Sequence, residues 1–266
     1  MSSLTGKFLQ IYDACLEKET NPSRLTNYTL SRPKFETLLP IMNREPYDSL
    51  LEIGISEFSS VMHAVCPEKR IAGLGLHMPE LGWGNPKGLQ MVEGDLTCLP
   101  PIPSLGQFDL VLCSEVIEHV QGNPIGAYAA LRPFVRPGGR LIVTTPNLAR
   151  LFNRVKLLLG RTPLELIHTV PWAGHFREYT RAEVVSHLTR AGFTVEKAEY
   201  SLYWDGVPFY LSGGDRGYDE RGRWYYRPRY RGWRRVAALP LLWVMEILVK
   251  RFPSLRNGMI FVARPS

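Results

Sequence analysis

The chain has 266 residues, 45% of them apolar, which suits one large domain with a substantial buried core. Its net charge is +7, but eight arginines stand against two acids within 216–235, so nearly all of the excess is one local patch. No secretory leader or membrane span is expected, because three acids lie within residues 1–19 and the most apolar segment, 236–249, is short and contains proline and glutamate. The four scattered cysteines lack metal-ligand spacing and are expected to be reduced thiols of a cytoplasmic protein.

Two helices are predicted to lead into the domain, over residues 4–18 and 35–43, with a turn-rich linker between them. From Ser49 onward, short apolar runs alternate with helical segments. These runs are SLLEIGI, RIAGLGL, LQMVEG, FDLVLCS and GRLIVTT. Several are apolar at consecutive positions, which is typical of strands covered on both faces of a parallel sheet. We therefore predict an α/β fold, a doubly wound, mostly parallel seven-stranded sheet with helices on both faces.

The later segments follow the same plan. RPGGR, residues 136–140, is predicted to turn the chain into a strand, and Thr180 and Glu183 are predicted to cap a helix that stops at Gly192. The sequence closes on a last strand, 258–264. Ahead of that strand lies an insertion, residues 203–257, that holds the basic-aromatic run and an apolar helix. The whole chain is expected to be one domain, with a lead-in (1–45), a core (46–200), this insertion and the final strand.

The order of these segments resembles the class I S-adenosylmethionine-dependent methyltransferases over roughly residues 45–200 plus the terminal strand. The matching segments are LEIGISEF, IAGLGLH, VEGDLTCLP and FDLVLCSEVIEHV, followed by the PGG turn. The tail GHFREYT…AGF resembles a subgroup whose members often methylate sugars, lipids or other small natural products. The resemblance implies S-adenosyl-L-methionine as the cofactor and a binding site lined by Glu52, Gly54, Ser56, Gly75, Leu76, Asp95, Leu96, Ser114 and Glu115.

Three positions depart from the family pattern, two in the glycine loop and one at the end of the second strand. Ser56 and Phe58 stand where the loop usually has glycines, so either the methionine end of the cofactor sits farther off or Phe58 turns away. Gly75 stands where an acid usually holds the ribose, and His77 or Glu80 could reach in instead. The following helix is expected to start near residue 59. The loop is therefore interpreted as remodelled, with weakened cofactor binding.

Gly54 and Asp95 are expected to contribute to cofactor binding in different ways. Gly54 is expected to let the backbone approach the ligand, so that Gly54→Val would block binding and leave the fold intact. Asp95 is expected to accept a hydrogen bond from the adenine amino group while the Leu96 amide meets a ring nitrogen. For Asp95, capping of a turn after the strand is the structural alternative.

Methyl transfer from a sulfonium is an in-line displacement, which needs alignment and, for a hydroxyl acceptor, a general base. No metal is required by this chemistry. His119 and His175 are the candidate bases, and either one could serve. Each also has a structural alternative, His119 in packing a helix and His175 in ordering the turn ahead of Thr180. Glu118 is a less favoured base.

The sequence thus predicts O-methylation of a small-molecule, sugar or lipid-linked acceptor. One alternative is an RNA methyltransferase that uses the Arg/Tyr-rich run, although nucleic acid is the less favoured partner. Another is a binding module that keeps the fold without catalysis. The basic-aromatic run beside an apolar helix suits a lid over the cleft, or peripheral contact with a membrane through residues 216–250. A homodimer through the same helix also stays open.

Overall fold

The computed structural model describes residues 3–76, 88–164, 175–201, 214–218, 224–228 and 233–266. Its helices are α1 (Leu4–Leu16), α2 (Pro22–Met42), α3 (Glu57–Val65), α4 (Pro124–Leu131), α5 (Leu151–Leu158), α6 (Arg181–Arg190) and α7 (Trp233–Arg251). Its strands are β1 (Ser49–Ile53), β2 (Arg70–Gly75), β3 (Gln90–Glu93), β4 (Phe108–Ser114), β5 (Val135–Pro146), β6 (Phe193–Ser201), β7 (Gly214–Tyr218), β8 (Trp224–Pro228) and β9 (Gly258–Pro265).

Seven of these strands form one sheet in the order β3-β2-β1-β4-β5-β9-β6. Neighbours from β3 to β5 run parallel, whereas β9 pairs antiparallel with both β5 and β6. The predicted seven-stranded, mostly parallel α/β sheet is therefore confirmed. The chain direction of successive connections reverses between β1 and β4, which makes the gap between these two strands the topological switch point.

The sheet is covered on both faces, which explains why its strands are apolar at consecutive positions. Leu50 and Leu110 belong to a cluster that includes side chains of α1, α2 and α3. Their chain neighbours Leu51 and Val111 belong to a second cluster that includes side chains of α4 and α6. Because successive strand residues point to opposite faces, each apolar pair supplies one side chain to each cluster.

The lead-in differs from the prediction, because α2 begins at Pro22 and continues through the residues expected to form a linker. Pro33 and Pro40 lie inside this helix. Packing outweighs their poor helix propensity: the side chains of Leu38 and Leu39 are fully buried in the cluster shared with α1. An ion pair from Arg32 to Asp13, 2.6 Å long, also joins α2 to α1.

The predicted helix cap is confirmed, whereas the turn predicted at 136–140 is not. Thr180 caps α6 and exchanges hydrogen bonds reciprocally with Glu183, and Gly192 takes a φ of 84° after the helix, both as predicted. The expected turn at 136–140 is instead part of β5, which runs from Val135 and shifts its register against β4 there. Gly138, with a φ of 76°, accommodates this irregularity.

The insertion joins two neighbouring strands of the main sheet, β6 and β9. Within it, β7 and β8 pair antiparallel as a separate two-stranded sheet, and α7 follows. Among the residues that the structure describes, no helix is long and apolar enough to cross a membrane. The proposed alternatives for the ribose, His77 and Glu80, lie outside the described residues. The division into lead-in, core and lid stays a prediction.

Candidate active site

The predicted cofactor residues follow the carboxyl ends of neighbouring strands, at one edge of the sheet. Gly54 follows β1, Gly75 ends β2, Asp95 comes two residues after β3, and Ser114 ends β4. Open α/β sheets bind ligands in the crevice at this edge, beside the switch point. The fold therefore brings these four residues to the edge where a ligand is expected.

The turn from β1 to α3 is built around Glu52. This carboxylate is buried and accepts hydrogen bonds from the hydroxyls of Ser56 and Ser59, both 2.5 Å long, and from the backbone amides of the same residues. Burial raises the pKa of Glu52 to about 7, although the serine hydrogen bonds act in the opposite direction. Glu52 therefore holds the loop together through the two serines.

The second unusual residue of the loop, Phe58, points away from it. Its ring is buried and stacks on Phe35 of α2 at 5.6 Å, with Phe8 of α1 at 5.4 Å. The sequence left two possibilities, a displaced cofactor or a Phe58 side chain that turns away from the loop, and the structure shows the second. The helix begins at Glu57, not near residue 59, because Ser56 caps it by accepting from the Phe58 amide.

Gly54 is required by its surroundings as well as by its conformation. Its φ is +80°, and a Cβ added there would lie 2.5 Å from Cγ2 of Val116, which follows β4. The space beside its Cα is thus filled by a protein side chain. The expectation that Gly54→Val leaves the fold intact conflicts with this geometry, since the substitution overlaps Val116 before any ligand binds.

The residues predicted for the adenosine end are ordered by local hydrogen bonds. Oδ1 of Asp95 accepts from the amide and the hydroxyl of Thr97, both at 2.8 Å, which is the turn-capping alternative. The carbonyl of Gly75 accepts from the Gly94 amide at 2.8 Å. Leu96 is buried in the core, whereas the Leu76 side chain is 47% exposed. Asp95 is thus held in place at the edge, and its contact with adenine stays a prediction.

Beside the switch point, Glu115 has a φ of 55°, the only positive φ of a non-glycine residue in the described part of the chain. Its carboxylate accepts from the Thr144 hydroxyl at 2.7 Å, and the Thr144 hydroxyl also lies 2.9 Å from that of Ser114. Backbone strain of this kind is common where a fold positions a functional side chain. The two predicted residues, Ser114 and Glu115, thus share a hydrogen-bond network with Thr144 beside the switch point.

The two candidate bases lie together. The rings of His119 and His175 meet edge to face with 5.1 Å between centroids. The carbonyl of Glu118 accepts from the backbone amides of Phe176 and Arg177, at 2.8 and 3.1 Å, which holds the second segment against the first. The fold thus unites two histidines from distant parts of the chain.

Below these rings, Glu118 is fully buried. One of its oxygens accepts from the Thr145 hydroxyl at 3.1 Å, and the other, Oε1, has no hydrogen-bond partner among the described residues. Burial, and then the nearby charge of Glu115, raises the pKa of Glu118. Ligand atoms of Glu118, His119 and His175 lie within 4.8 Å of one another, so this set could hold a metal ion. No sequence spacing indicated such a set.

A residue missed by the sequence analysis, Glu178, sets the position of His175. Its buried carboxylate lies 3.1 Å from Nδ1 of His175, 3.1 Å from Arg150 and 3.0 Å from the Asn153 amide nitrogen. Burial alone would raise the pKa of Glu178, but these partners hold it below its usual value. An ionised carboxylate only accepts hydrogen bonds, so Nδ1 donates and Nε2 is the basic nitrogen of the ring.

The raised pKa of Glu52 leads to a prediction about stability. The unfolded chain loses this proton near the usual value of 4.5 and the folded protein near 7, so the stabilisation is complete below pH 4.5 and is lost as the pH rises to 7. The loss amounts to about 3 kcal/mol of unfolding free energy. In Glu52→Gln, this part of the pH dependence should be absent.

Urea denaturation at several pH values measures this difference. Glu68→Gln, at an exposed position, is the matched control and should keep the wild-type pH dependence. If the unfolding free energy of the wild type and of Glu52→Gln depended on pH in the same way, the raised pKa of Glu52 would be contradicted.

The fold is an open α/β sheet whose switch point has the predicted cofactor residues and a cluster of titratable side chains beside it. A family model described as a methyltransferase domain matches residues 36–198. The chain belongs to this family. The family agrees with the predicted enzyme class and supports S-adenosylmethionine as the cofactor.

Among curated proteins, the chain is similar to two ubiquinone biosynthesis O-methyltransferases. That of Xanthomonas euvesicatoria is 30% identical over 131 residues, 48% of this chain and 51% of the relative. That of Marinobacter nauticus is 29% identical over 113 residues, 41% of this chain and 45% of the relative. The chain spans about half the length of the curated relatives that it matches.

Among solved structures, a SAM-dependent methyltransferase of Thermotoga maritima, described as a possible histamine N-methyltransferase, has a TM-score of 0.54. The two chains are 16% identical, and the match covers 92% of this chain and 97% of the other. At this identity the likeness shows the fold alone.

Proposed function

We propose that this protein transfers a methyl group from S-adenosylmethionine to a hydroxyl oxygen of a small-molecule, sugar or lipid-linked acceptor. The observation that carries the proposal is the contact between His175 and the buried Glu178, 3.1 Å long, beside His119. A hydroxyl must lose a proton as its oxygen is methylated, and an oriented imidazole is suited to take it. The O-methyltransferase activity of the two curated relatives agrees with this chemistry.

In the proposed mechanism, His175 is the general base. Glu178 holds the ring through Nδ1, so Nε2 accepts the hydroxyl proton while the oxygen gains the methyl group. The positive charge that then develops on the ring is stabilised by the carboxylate of Glu178. His119 lies against the same ring and would orient the acceptor hydroxyl.

The residues at the edge of the sheet fit the cofactor. Bound S-adenosylmethionine would supply an electrophilic methyl group. Asp95 would hold its adenine end, and the turn around Gly54 and Ser56 would face its methionine end. The fit is supported by the strained Glu115 at the switch point, where open α/β sheets bind their ligands.

The test offers methyl-labelled S-adenosylmethionine to the full chain with three acceptor classes: phenols and sugars, amines, and RNA. We expect labelled O-methyl products from the hydroxyl acceptors. Label on an amine would overturn the O-directed assignment, and salt-sensitive labelling of RNA would favour the RNA alternative. Cofactor binding with no transfer to any class would support the binding-module alternative.

We also propose peripheral contact with an anionic membrane, because two segments of the chain carry several exposed apolar side chains. At the end of α5, Leu157, Leu158 and Leu159 are exposed, and Leu158 is 86% exposed. Exposed side chains on α7 include Leu241, Trp243, Val244 and Ile247. The amide of Asn147 donates to the carbonyls of Ser254 and Arg256, so the start of α5 lies beside the chain that follows α7.

Basic side chains accompany these apolar ones. Arg154 and Arg161 are exposed near the leucines, and Lys250 and Arg251 end α7. An apolar surface edged by cations suits an anionic lipid headgroup layer, and a lipid-linked acceptor would then be reached from the membrane.

Sedimentation with phosphatidylcholine vesicles, with and without phosphatidylglycerol, tests this contact. The wild type should sediment with the anionic vesicles, and the double variant Leu158→Glu, Leu159→Glu should bind at least about tenfold more weakly, because buried leucine contributes about 1.5–3 kcal/mol. Leu25→Glu, at an exposed position of α2, is the control. Equal binding of both variants would contradict the contact, and a shift from dimer to monomer in the double variant would favour a homodimer.

A further inference from the structure

Two histidines and a buried glutamate come together after the end of β4. One carboxylate oxygen of Glu118 and one ring nitrogen each of His119 and His175 all lie within 4.8 Å of one another. A tetrahedral zinc ion with bonds of about 2.1 Å needs its ligand atoms about 3.4 Å apart, so small side-chain rotations would close this set on one ion. Two imidazoles and one glutamate are also a ligand set of catalytic zinc sites.

The carboxylate of Glu118 is buried and only half satisfied. The residue is fully buried, and no lysine or arginine in the described part of the chain forms an ion pair with it. The Thr145 hydroxyl donates to Oε2 at 3.1 Å, whereas Oε1 has no hydrogen-bond partner among the described residues. A buried carboxylate is costly unless it is paired or binds a metal ion. A cation at the cluster would satisfy the remaining oxygen.

The ring of His175 is oriented for metal binding. Oε1 of the buried Glu178 lies 3.1 Å from Nδ1 of His175, so Nδ1 donates and the lone pair of the ring is on Nε2. Histidines that bind metals usually donate their other ring N–H to a carboxylate or carbonyl in this way. The Glu118 carbonyl accepts from the amides of Phe176 and Arg177, which fixes the segment of His175 against that of the other two ligands.

We propose that Glu118, His119 and His175 bind a divalent transition-metal ion, such as Zn²⁺, through one carboxylate oxygen and two imidazole nitrogens. Magnesium and calcium ions favour oxygen ligands, so the two imidazoles select against them. The binding of the ion rests on the geometry of these side chains and is independent of methyl transfer.

The role of the ion rests on the proposed function. Three protein ligands leave one position of a tetrahedral ion open, and the acceptor hydroxyl would bind there. Its O–H bond breaks as the oxygen binds the ion, the proton passes to water, and the oxygen then displaces the sulfonium sulfur from the methyl group. Because Nε2 of His175 cannot hold an ion and a proton at once, His175 would be the base only in the metal-free protein.

Metal titrations of the full chain, first treated with a chelator, test the site without any acceptor. The wild type should bind one equivalent of Zn²⁺ by calorimetry, and Co²⁺ in its place should give visible absorption bands. Glu118→Gln, His119→Ala and His175→Ala should each remove these bands. Glu178→Gln should weaken Zn²⁺ binding by about ten- to a hundredfold, because it removes the carboxylate that orients a ligand. His63→Ala, at the far end of α3, is the matched control and should bind both ions like the wild type.

The melting temperature provides a second readout. Zn²⁺ should raise it in the wild type and in His63→Ala but not in Glu118→Gln. Absence of metal binding by the wild type, or unchanged binding in the three ligand variants, would overturn the proposal. Equal rates of methyl transfer with and without a chelator would overturn the role of the ion in the reaction. If the wild type binds Zn²⁺ but not S-adenosylhomocysteine, the metal site stands and the proposed function fails.

Discussion

Replacing His175 with alanine should lower the rate of methyl transfer by about 10²–10⁴-fold and leave the affinity for S-adenosylhomocysteine nearly unchanged. The reason is that His175 would take the hydroxyl proton and is not among the residues expected to hold the cofactor. Single-turnover kinetics with a hydroxyl acceptor, together with calorimetry, measure the two quantities separately.

A substitution of Glu178 tests whether the loss of rate comes from the oriented His175 ring. Glu178→Gln keeps the size of the side chain but removes the charge that orients His175, so it should lower the rate and shift the pH dependence of the rate to lower pH. The shift has this sign because loss of the carboxylate destabilises the imidazolium and lowers the pKa of His175, and a general base acts in its neutral form. The contact between His175 and Glu178 can be tested directly by titrating the His175 ring, whose pKa should be lower in Glu178→Gln than in the wild type.

His119→Ala separates the two candidate bases. If His119 is the base, this variant should lose the rate, and His175→Ala should lose much less. His63→Ala, at the far end of α3, is the control for removal of an imidazole. Retention of the wild-type rate in His175→Ala would contradict the proposed mechanism.

Replacing Gly54 with valine should destabilise the fold by about 2–5 kcal/mol and abolish cofactor binding. A left-handed φ costs a non-glycine residue about 1–2 kcal/mol, and the overlap with Val116 adds about 1–3 kcal/mol. Urea denaturation measures the first effect and calorimetry the second.

The double variant Gly54→Ala, Val116→Ala separates the two causes. It removes Cγ2 of Val116 and keeps the strained φ, so it should be more stable than Gly54→Ala alone. If Gly54→Val is as stable as the wild type, the turn differs from the one described here.

The sheet could be predicted because its strands are short segments with apolar residues at consecutive positions. In FDLVLCS every position but Asp109 and Ser114 is apolar, and the observed strand has the same bounds. Helix α2 could be predicted only in its second half, over residues 35–43. Residues 21–33 carry prolines and polar side chains that favour a linker, and the ion pair from Arg32 to Asp13 that joins them to α1 is a tertiary contact.

The candidate site was predictable in its individual residues but not in its partnerships. His119 and His175 stand out as titratable groups near predicted strand ends. Their contact depends on a loop held by the Glu118 carbonyl, and nothing in the spacing shows that. Glu178 was missed because a buried charge is recognisable only once its surroundings are known.

We propose that this chain binds S-adenosylmethionine at the carboxyl edge of β1, β3 and β4. Calorimetric titration of the wild type and of Asp95→Ala with S-adenosylhomocysteine tests it most directly. The wild type should bind one equivalent, and Asp95→Ala should bind more weakly by about 1–3 kcal/mol. The ligand-free variant should lose only the stability that its two hydrogen bonds from Thr97 provide. Absence of binding by the wild type, or equal affinity of the two proteins, would contradict the claim.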